Sequence, residues 1–469
     1  MSTELSTSYD DDLSQTLPQV EAIRDAIKGS FFVKRETSKY LPNPSSLVAD
    51  TTSEQYIRYI AGAEFDEWAG QTQKSMIKSA GIDRKTCELP PQVDYLEMDV
   101  DGDGLSLNGA IEQAINNVLA VKWHVGVADY KGLTGVSIDE VSQAEYEQAN
   151  TRAVIKMYNR ESVVKRHFST INGKKQLSFI MFCEMGYTFN TATYSKEQIT
   201  SYLILALDED GRYYQQKIVN GVQGKRDYMS IGNEPMKSLP VVFFADEEID
   251  TELPVSFGFL SPIVDICYYR YRVSADYKLG IRKSAPTTDV FGMDENAMTQ
   301  FEAVNGRNYY EVGGTNFFND TDMKVVKSGA DASLDYCTKY MADSENKARS
   351  IGAVIPDDSN VKTATEAVIN FSEQTAILEP IIANVENCFK WLIKWCAMFE
   401  GADVSIDDIN LSLNREFSQP MLDPQAANAV IALYGAGLTT KEKAVDKLVK
   451  LGWIEAEVDE LLTELEDTI

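Results

Sequence analysis

The strongest pattern in the chain lies toward its C-terminal end. Ala364, Val368, Phe371, Thr375, Leu378, Ile382, Val385, Phe389, Leu392, Cys396 and Phe399 recur in alternating steps of four and three, which places them on one face of an α-helix. The run predicts a helix over 363–400, roughly 54 Å long at about 1.5 Å per residue. Pro380 falls inside it; a proline lacks the backbone donor and presses on the preceding turn, so a kink is expected there.

Other stretches share the helical period. Ser261 to Lys283 reads as one helix, with Ser261 as N-cap and Pro262 at the first helical position. Another runs from about Asp331 to Ile351. Near the N-terminus, helical patterns cover Pro18 to Lys28 and Ser53 to Ser79, where Tyr56, Tyr59, Ile60, Phe65, Trp68 and Ile77 fall roughly on one stripe. The loop Leu41-Pro42-Asn43-Pro44-Ser45 separates the two, and residues 1 to about 15 read as a polar tail.

Between Val121 and Ile249 the period shifts toward two, with runs at Val163–Phe168, Leu177–Phe182, Tyr202–Leu207 and Val241–Phe244. Asp210-Gly211, between Tyr202–Leu207 and Tyr213–Val219, is a hairpin signal. An α+β region therefore covers about 30–255. A compact segment, 284–330, reads as strand (Thr287–Phe291), helix (Asp294–Ala303) and strands near Tyr309–Val312 and Met323–Val326. The C-terminal part offers a helix after Asp423-Pro424, a capping box at Thr439-Thr440-Lys441-Glu442, a helix end at Leu451-Gly452 and a last acidic helix.

Composition narrows the function. At 44% hydrophobic residues the chain has enough apolar surface to bury a core. Its 44 Lys and Arg against 72 Asp and Glu give a net charge of −28, which argues against a non-specific coat on nucleic acid, since such binding needs cations on phosphates. A channel through which a polyanion slides is compatible with it. Two segments depart from the average: 261–283 carries five basic and two acidic residues, net +3, and 401–469 carries 14 acidic and 5 basic residues, net −9. The six cysteines lack C-x-x-C spacing and read as free thiols of a reducing compartment. Met1 to Asp12 lacks the features of a signal peptide, and no apolar run approaches the ~20 residues needed to span a bilayer.

Candidate chemistry is sparse. Asp99-Val100-Asp101-Gly102-Asp103-Gly104 matches the first half of a calcium loop, but the twelfth position, where a bidentate acid belongs, is Ala110. A plain acidic turn, with Ser106 capping the next helix, is the expectation. His124 and His167 lie in strand-like stretches without companion ligands, and neither GxxxxGK[ST] nor GxGxxG occurs. No catalytic residue, metal site or cofactor site is assigned.

Three groups of residues carry a resemblance. The first is Tyr40-Leu41-Pro42 with Tyr56-Ile57-Arg58-Tyr59-Ile60-Ala61-Gly62-Ala63-Glu64-Phe65. The second is Asp99 to Leu107 leading into Val125-Gly126-Val127-Ala128-Asp129. The third is Ser274-Ala275-Asp276-Tyr277 with Pro286, Ala348 to Pro356, and Thr363-Ala364-Thr365-Glu366-Ala367 through Leu378-Glu379-Pro380-Ile381. In this order, over about 40–465, the chain resembles bacteriophage portal proteins, the head-to-tail connectors, in a subgroup long filed as a domain of unknown function.

The resemblance implies an α+β portal fold: N-terminal tail and first helix 1–29, wing 30–260, stem helices 261–283 and 331–352, a small α/β clip 284–330, a tunnel loop 353–362, a kinked helix 363–400 and a helical crown 401–469. It implies a homo-oligomeric ring, usually of twelve subunits, in the virion at the capsid portal vertex after assembly in the host cytoplasm. The expected partners are double-stranded DNA without sequence preference, the terminase large subunit, the head-tail adaptor and the major capsid protein, with a scaffold as a further candidate and no membrane. Asp357, Asp358, Asn360 and Lys362 would face DNA from the loop, with contacts to the backbone and no base reading; Lys362 pairing with its own loop is the alternative. Arg270, Arg272, Lys278, Arg282 and Lys283 would temper the negative wall. Tyr309, Tyr310, Phe317 and Phe318 would form the clip interface or, equally, its core. Two other classes stay open: an acidic hydrolase with a carboxylate pair, and a ring-forming virion component without a DNA channel.

Overall fold

The computed structural model describes residues 7–43, 54–131, 151–247 except 172, 192, 232 and 233, then 249, 253–284, 288–291, 315–318, 330–355, 364–415 and 424–435, with a few single positions up to 447. Two compact units emerge. The first comprises 1–22, 73–261 and 356–469; the second comprises 23–72 and 262–355. Both mix helix with sheet, in keeping with the α+β expectation.

The first unit is built on two antiparallel sheets. Strands β2 (Trp123–Lys131), β3 (Arg152–Tyr158) and β11 (Val241–Ala245) form one, in the order β11-β2-β3. The other runs in sequence order through β4 (Val163–Ile171), β5 (Lys174–Asn190), β6 (Ser195–Leu207), β7 (Tyr213–Val219) and β8 (Val222–Tyr228). Alternation along β2 decides what each face meets. Trp123, Val125 and Val127 pack with Ile180, Phe182, Leu203 and Leu205 of the five-stranded sheet, making a shared core. His124, Gly126 and Ala128 point the other way.

That second face is covered by the long helix α8 (Ala364–Phe399). Phe244, paired with His124 across the strands, brings its ring centroid 5.0 Å from that of Phe389. Gly126 permits the approach: a Cβ there would lie 2.7 Å from Leu392 Cδ1. Leu378, Ile382, Val385, Phe389, Leu392 and Cys396 of the predicted stripe are all buried, each large apolar side chain contributing about 1.5–3 kcal/mol. Hydrogen bonds tie helix to sheet: Asn384 Oδ1 accepts from the Ala245 amide at 3.2 Å, Cys388 Sγ donates to the Phe243 carbonyl at 3.5 Å, and Cys396 Sγ donates to the Val154 carbonyl at 3.7 Å. The helix is continuous across Pro380, at an exposed position.

Helix α5 (Leu107–Val121) follows the acidic turn, and Ser106 Oγ caps it by accepting from the Gly109 amide at 3.2 Å. Beyond it, the Arg160 guanidinium is buried, sandwiched between the Trp123 and Phe257 rings, and donates to the carbonyls of Val121, Val255 and Ser256. Strands β1 (Thr86–Glu88) and β14 (Asn410–Ser412) pair as a small ribbon, and β9 (Ser230–Ile231) pairs with β10 (Glu234–Pro235).

Helix α1 (Asp11–Lys28) begins well before the predicted Pro18, which sits inside it. The predicted polar tail is therefore helical from Asp11. The start is fixed by long-range bonds: the Asp10 amide donates to the Val164 carbonyl at 2.9 Å, and Arg166 pairs with Asp12. Asp11 and Asp12 also complement the dipole of the first turn.

In the second unit, α1 is followed by α2 (Ser30–Arg35) and α3 (Glu54–Gly62), and α4 (Trp68–Ala80) starts there. The single helix expected over Ser53–Ser79 is thus two, separated by 63–67. Helices α6 (Ser261–Ser284) and α7 (Ala330–Ser350) flank a parallel strand pair, β12 (Thr288–Phe291) and β13 (Thr315–Phe318). The strand at 315–318 was not anticipated, and those expected at Tyr309–Val312 and Met323–Val326 lie outside the described residues. Helix α9 (Pro424–Gly435) belongs to the first unit, and further on Thr440 Oγ1 accepts from the Lys443 amide at 3.5 Å, while Glu442 of the expected capping box lies outside the described residues.

Candidate functional site

The cationic helix α6 was the most distinctive charge feature of the sequence. One face of it is apolar: Ile263, Val264, Cys267, Tyr271 and Ala275 are buried at helical spacing. Tyr268 stacks on Tyr40 at 4.6 Å, and Tyr271 meets Phe65 edge-on at 5.8 Å. Burial pushes the Cys267 thiol up to about 12.

Its cations are already engaged inside the unit. Arg270 Nε contacts Asp66 Oδ2 at 2.7 Å, its Nη1 donates to the Met341 carbonyl and to Ser344 Oγ, and the guanidinium lies 4.3 Å from the Trp68 ring centroid. Arg272 Nε donates to the Tyr40 carbonyl at 3.0 Å, and Lys278 pairs with Glu64. Ser274 stands between them in the same row: its Oγ accepts from the Glu64 amide at 2.9 Å and donates to the Glu64 carbonyl at 3.0 Å. Tyr59 adds a bond to Asp276 at 2.6 Å, and burial raises its pKa together with that carboxylate. Positions 270, 274 and 278, spaced one turn apart, hold the segment 63–67 out of the helix: Ser274 binds the backbone of Glu64, while Arg270 and Lys278 bind the carboxylates of Asp66 and Glu64. Arg282 and Lys283 lie in the last turn of α6, and their side chains are outside the described residues.

The predicted loop has an anchored base. Gly352, at φ 95°, ends α7, and the Ala353 amide returns to the Ala348 carbonyl at 3.0 Å in a left-handed cap. Ala353 and Ile355 are buried, and the Val354 amide donates to Thr72 Oγ1 at 2.9 Å. Asp357, Asp358, Asn360 and Lys362 lie outside the described residues, as do Tyr309 and Tyr310. Phe317 and Phe318 are placed on β13 by backbone alone.

The acidic turn is satisfied by its own chain. Asp99 Oδ1 accepts from the Gly102 and Gly104 amides at 2.7 and 3.0 Å, Asp101 Oδ1 accepts from those of Asp103 and Leu105, and Arg152 pairs with Asp99. Burial opposes ionisation of Asp99, but these amides and Arg152 outweigh it and hold the carboxyl below its usual range. The Glu400 carboxylate is likewise occupied, by the Ala153 amide and Tyr95. No cluster of three metal-ligating side chains occurs among the described residues.

One exposed surface was not anticipated from the sequence. Strands β5 and β6 run past their neighbours: β4 pairs only as far as Phe182, and β7 only back to Ser201. Residues 184–200 therefore form a two-stranded ribbon. Its one face carries Met185, Tyr187 and Phe189, and Tyr194 sits at the turn, these four being 70%, 69%, 56% and 82% exposed. The alternation Met181, Cys183, Met185, Tyr187, Phe189 was the available signal, since the apolar period continues beyond the predicted strand end at Phe182.

No known family's sequence pattern matches the chain, and no curated protein matches it. Among solved structures, similar chains include one from the virion of a native gene transfer agent particle, at 11% identity over 90% of this chain and 99% of that one, with a TM-score of 0.38. Another comes from the neck of an empty gene transfer agent particle, at 10% identity over 86% of this chain and 94% of that one, with a TM-score of 0.33. Likeness at this level carries no argument about function.

Proposed function

We propose that this chain is a portal subunit, a structural and non-enzymatic component of a phage-like virion. Copies close into a ring at one capsid vertex, the conduit for double-stranded DNA in packaging and ejection and the platform for terminase and head-tail adaptor. The observation that carries the proposal is the order of elements. After 23–72, which belongs to the second compact unit, 73–261 builds the α+β body of the first; α6, the pair β12–β13 and α7 then form a helix–insert–helix excursion in the second unit; and the chain returns in α8, which lies on the sheet of the first. Wing, stem, clip, stem, loop and long helix follow one another in the same order in the family that the sequence motifs resemble.

Electrostatics supports a conduit. Each copy brings a net charge of −28, so a ring surrounds the duplex with like charge and favours sliding over adhesion. The exposed ribbon 184–200 supports assembly, because apolar patches of this kind mark protein contacts and an isolated two-stranded ribbon is marginal without a partner.

The test is mass measurement and negative-stain imaging of the purified chain. A closed ring with a central hole of duplex width is expected. A species that stays monomeric at high concentration would overturn the proposal and favour a soluble acidic enzyme; a ring with no through-hole would favour another virion component.

A further inference from the structure

The ribbon β1–β14 in the first unit has two unlike faces. Register pairs Thr86 with Ser412, Cys87 with Leu411 and Glu88 with Asn410. Leu411 and Leu413 are buried and the Cys87 side is half-buried, so the opposite face is polar. On that face Thr86 and Ser412 stand opposite one another, and Arg84, at the end of the 3-10 turn Ile82–Arg84, and Asn414 lie just beyond the paired residues. At one end, Asn410 Nδ2 donates to Glu88 Oε2 at 3.1 Å, which closes the row. At the other end the row opens into a cleft of about 420 Å³ lined by Arg84, Thr86, Ser412, Leu413, Asn414 and Arg415.

The charge balance there runs against that of the whole chain. Glu386 is the carboxylate that serves Arg415, at 3.3 Å; it also takes Lys390 at 3.0 Å and the Leu413 amide at 3.0 Å. One acid thus answers two cations, and Arg84 adds a third charge with no carboxylate within ion-pair distance among the described residues. Arg415 is 51% exposed and keeps donors to spare. The cleft therefore offers two guanidinium groups and two hydroxyls with no carboxylate in its lining, on a protein of net charge −28. Forked donors beside hydroxyls match the geometry of a tetrahedral oxyanion, where arginine outperforms a point charge.

We propose that this cleft is a binding site for a phosphoryl oxyanion, with Arg84 and Arg415 as the charged clamp and Thr86 and Ser412 as hydroxyl donors. The same chemistry serves a free phosphate and a phosphodiester of a polynucleotide backbone. Glu386 positions Arg415 and does not touch the ligand.

The experiment is calorimetric titration of the full-length protein with inorganic phosphate at constant ionic strength, alongside a short DNA duplex as second ligand. Saturable phosphate binding is expected, weakened about tenfold or more by Arg84→Gln and less by Ser412→Ala or Arg84→Lys. Arg226→Gln, outside the cleft, serves as the control and should leave binding intact. Duplex binding that depends on Arg84 and competes with phosphate would identify the backbone as the source; phosphate binding without duplex binding would identify a free phosphate. Absence of saturable binding to either ligand overturns the site, as does binding that Arg84→Gln and Ser412→Ala leave unchanged while both variants melt like the parent.

Discussion

Arg270 and Asp66, 204 positions apart in the sequence, meet at 2.7 Å, with the guanidinium laid against Trp68 and a second arm reaching the C-terminal part of α7. One side chain thus joins three segments of the second unit. Arg270→Ala should destabilise that unit by about 2–3 kcal/mol, since it strands Asp66 and leaves polar groups unpaired. Arg270→Lys should recover little, because an ammonium cannot fork between partners and lie flat on an indole. Chemical denaturation followed by tryptophan fluorescence checks both.

Stability should depend on pH through Glu386. Its burial opposes ionisation, but the Leu413 amide, Lys390 and Arg415 outweigh that and set its pKa below the ordinary 4.5. A depressed carboxylate contributes stability that is present above 4.5 and lost as pH falls through the lower folded value. Glu386→Gln should flatten that part of the profile and lower stability at neutral pH. Equal acid sensitivity in the two proteins would contradict this role.

The exposed ribbon should matter for assembly and not for folding. Tyr187→Asp with Phe189→Asp removes apolar surface that the single chain leaves in solvent, so circular dichroism and melting should stay as they are. Ring formation, read by light scattering, should fall sharply. Rings forming as readily as in the parent would assign the ribbon to some other contact.

Gly258 tests packing at the end of α5. A Cβ there would lie 2.2 Å from the Leu119 carbonyl oxygen, a backbone atom that cannot swing away. Gly258→Ala should cost about 1–3 kcal/mol, measured by equilibrium unfolding. A neutral effect would mean that 256–260 shifts freely.

The loop and clip expectations have their own tests. Lys362→Ala combined with deletion of 355–360 should impair packaging or DNA retention in an assembled particle. Phe317→Asp with Phe318→Asp should block adaptor docking while rings still form; docking of the doubly charged variant would return those residues to the clip core.

Legibility in the sequence tracked the range of the forces. The α8 stripe was readable because a regular period reports one continuous apolar contact, and Phe389 and Leu392 fill it as spaced. The break at 63–67 was not readable, since it is caused by Ser274 binding both backbone groups of Glu64 from 210 positions away. Pro18 suggested a helix start by local rule, whereas Asp10 and Asp12 fix the true start through bonds to β4. Counting charges identified α6 as basic but could not reveal that Asp66, Tyr40 and Glu64 hold its cations. The phosphate-type cleft escaped because Arg84 and Arg415 flank β1 and β14, strands far apart in the sequence that only their pairing brings together.

The occupancy of those cations bears on ionic strength. With Arg270, Arg272 and Lys278 committed to partners in their own chain, at most two of the five basic residues of α6, Arg282 and Lys283, remain to displace condensed ions from a nucleic acid. Since salt sensitivity scales with the number of phosphates neutralised, any contact of this helix with a duplex in the proposed conduit would change little between dilute and concentrated buffer.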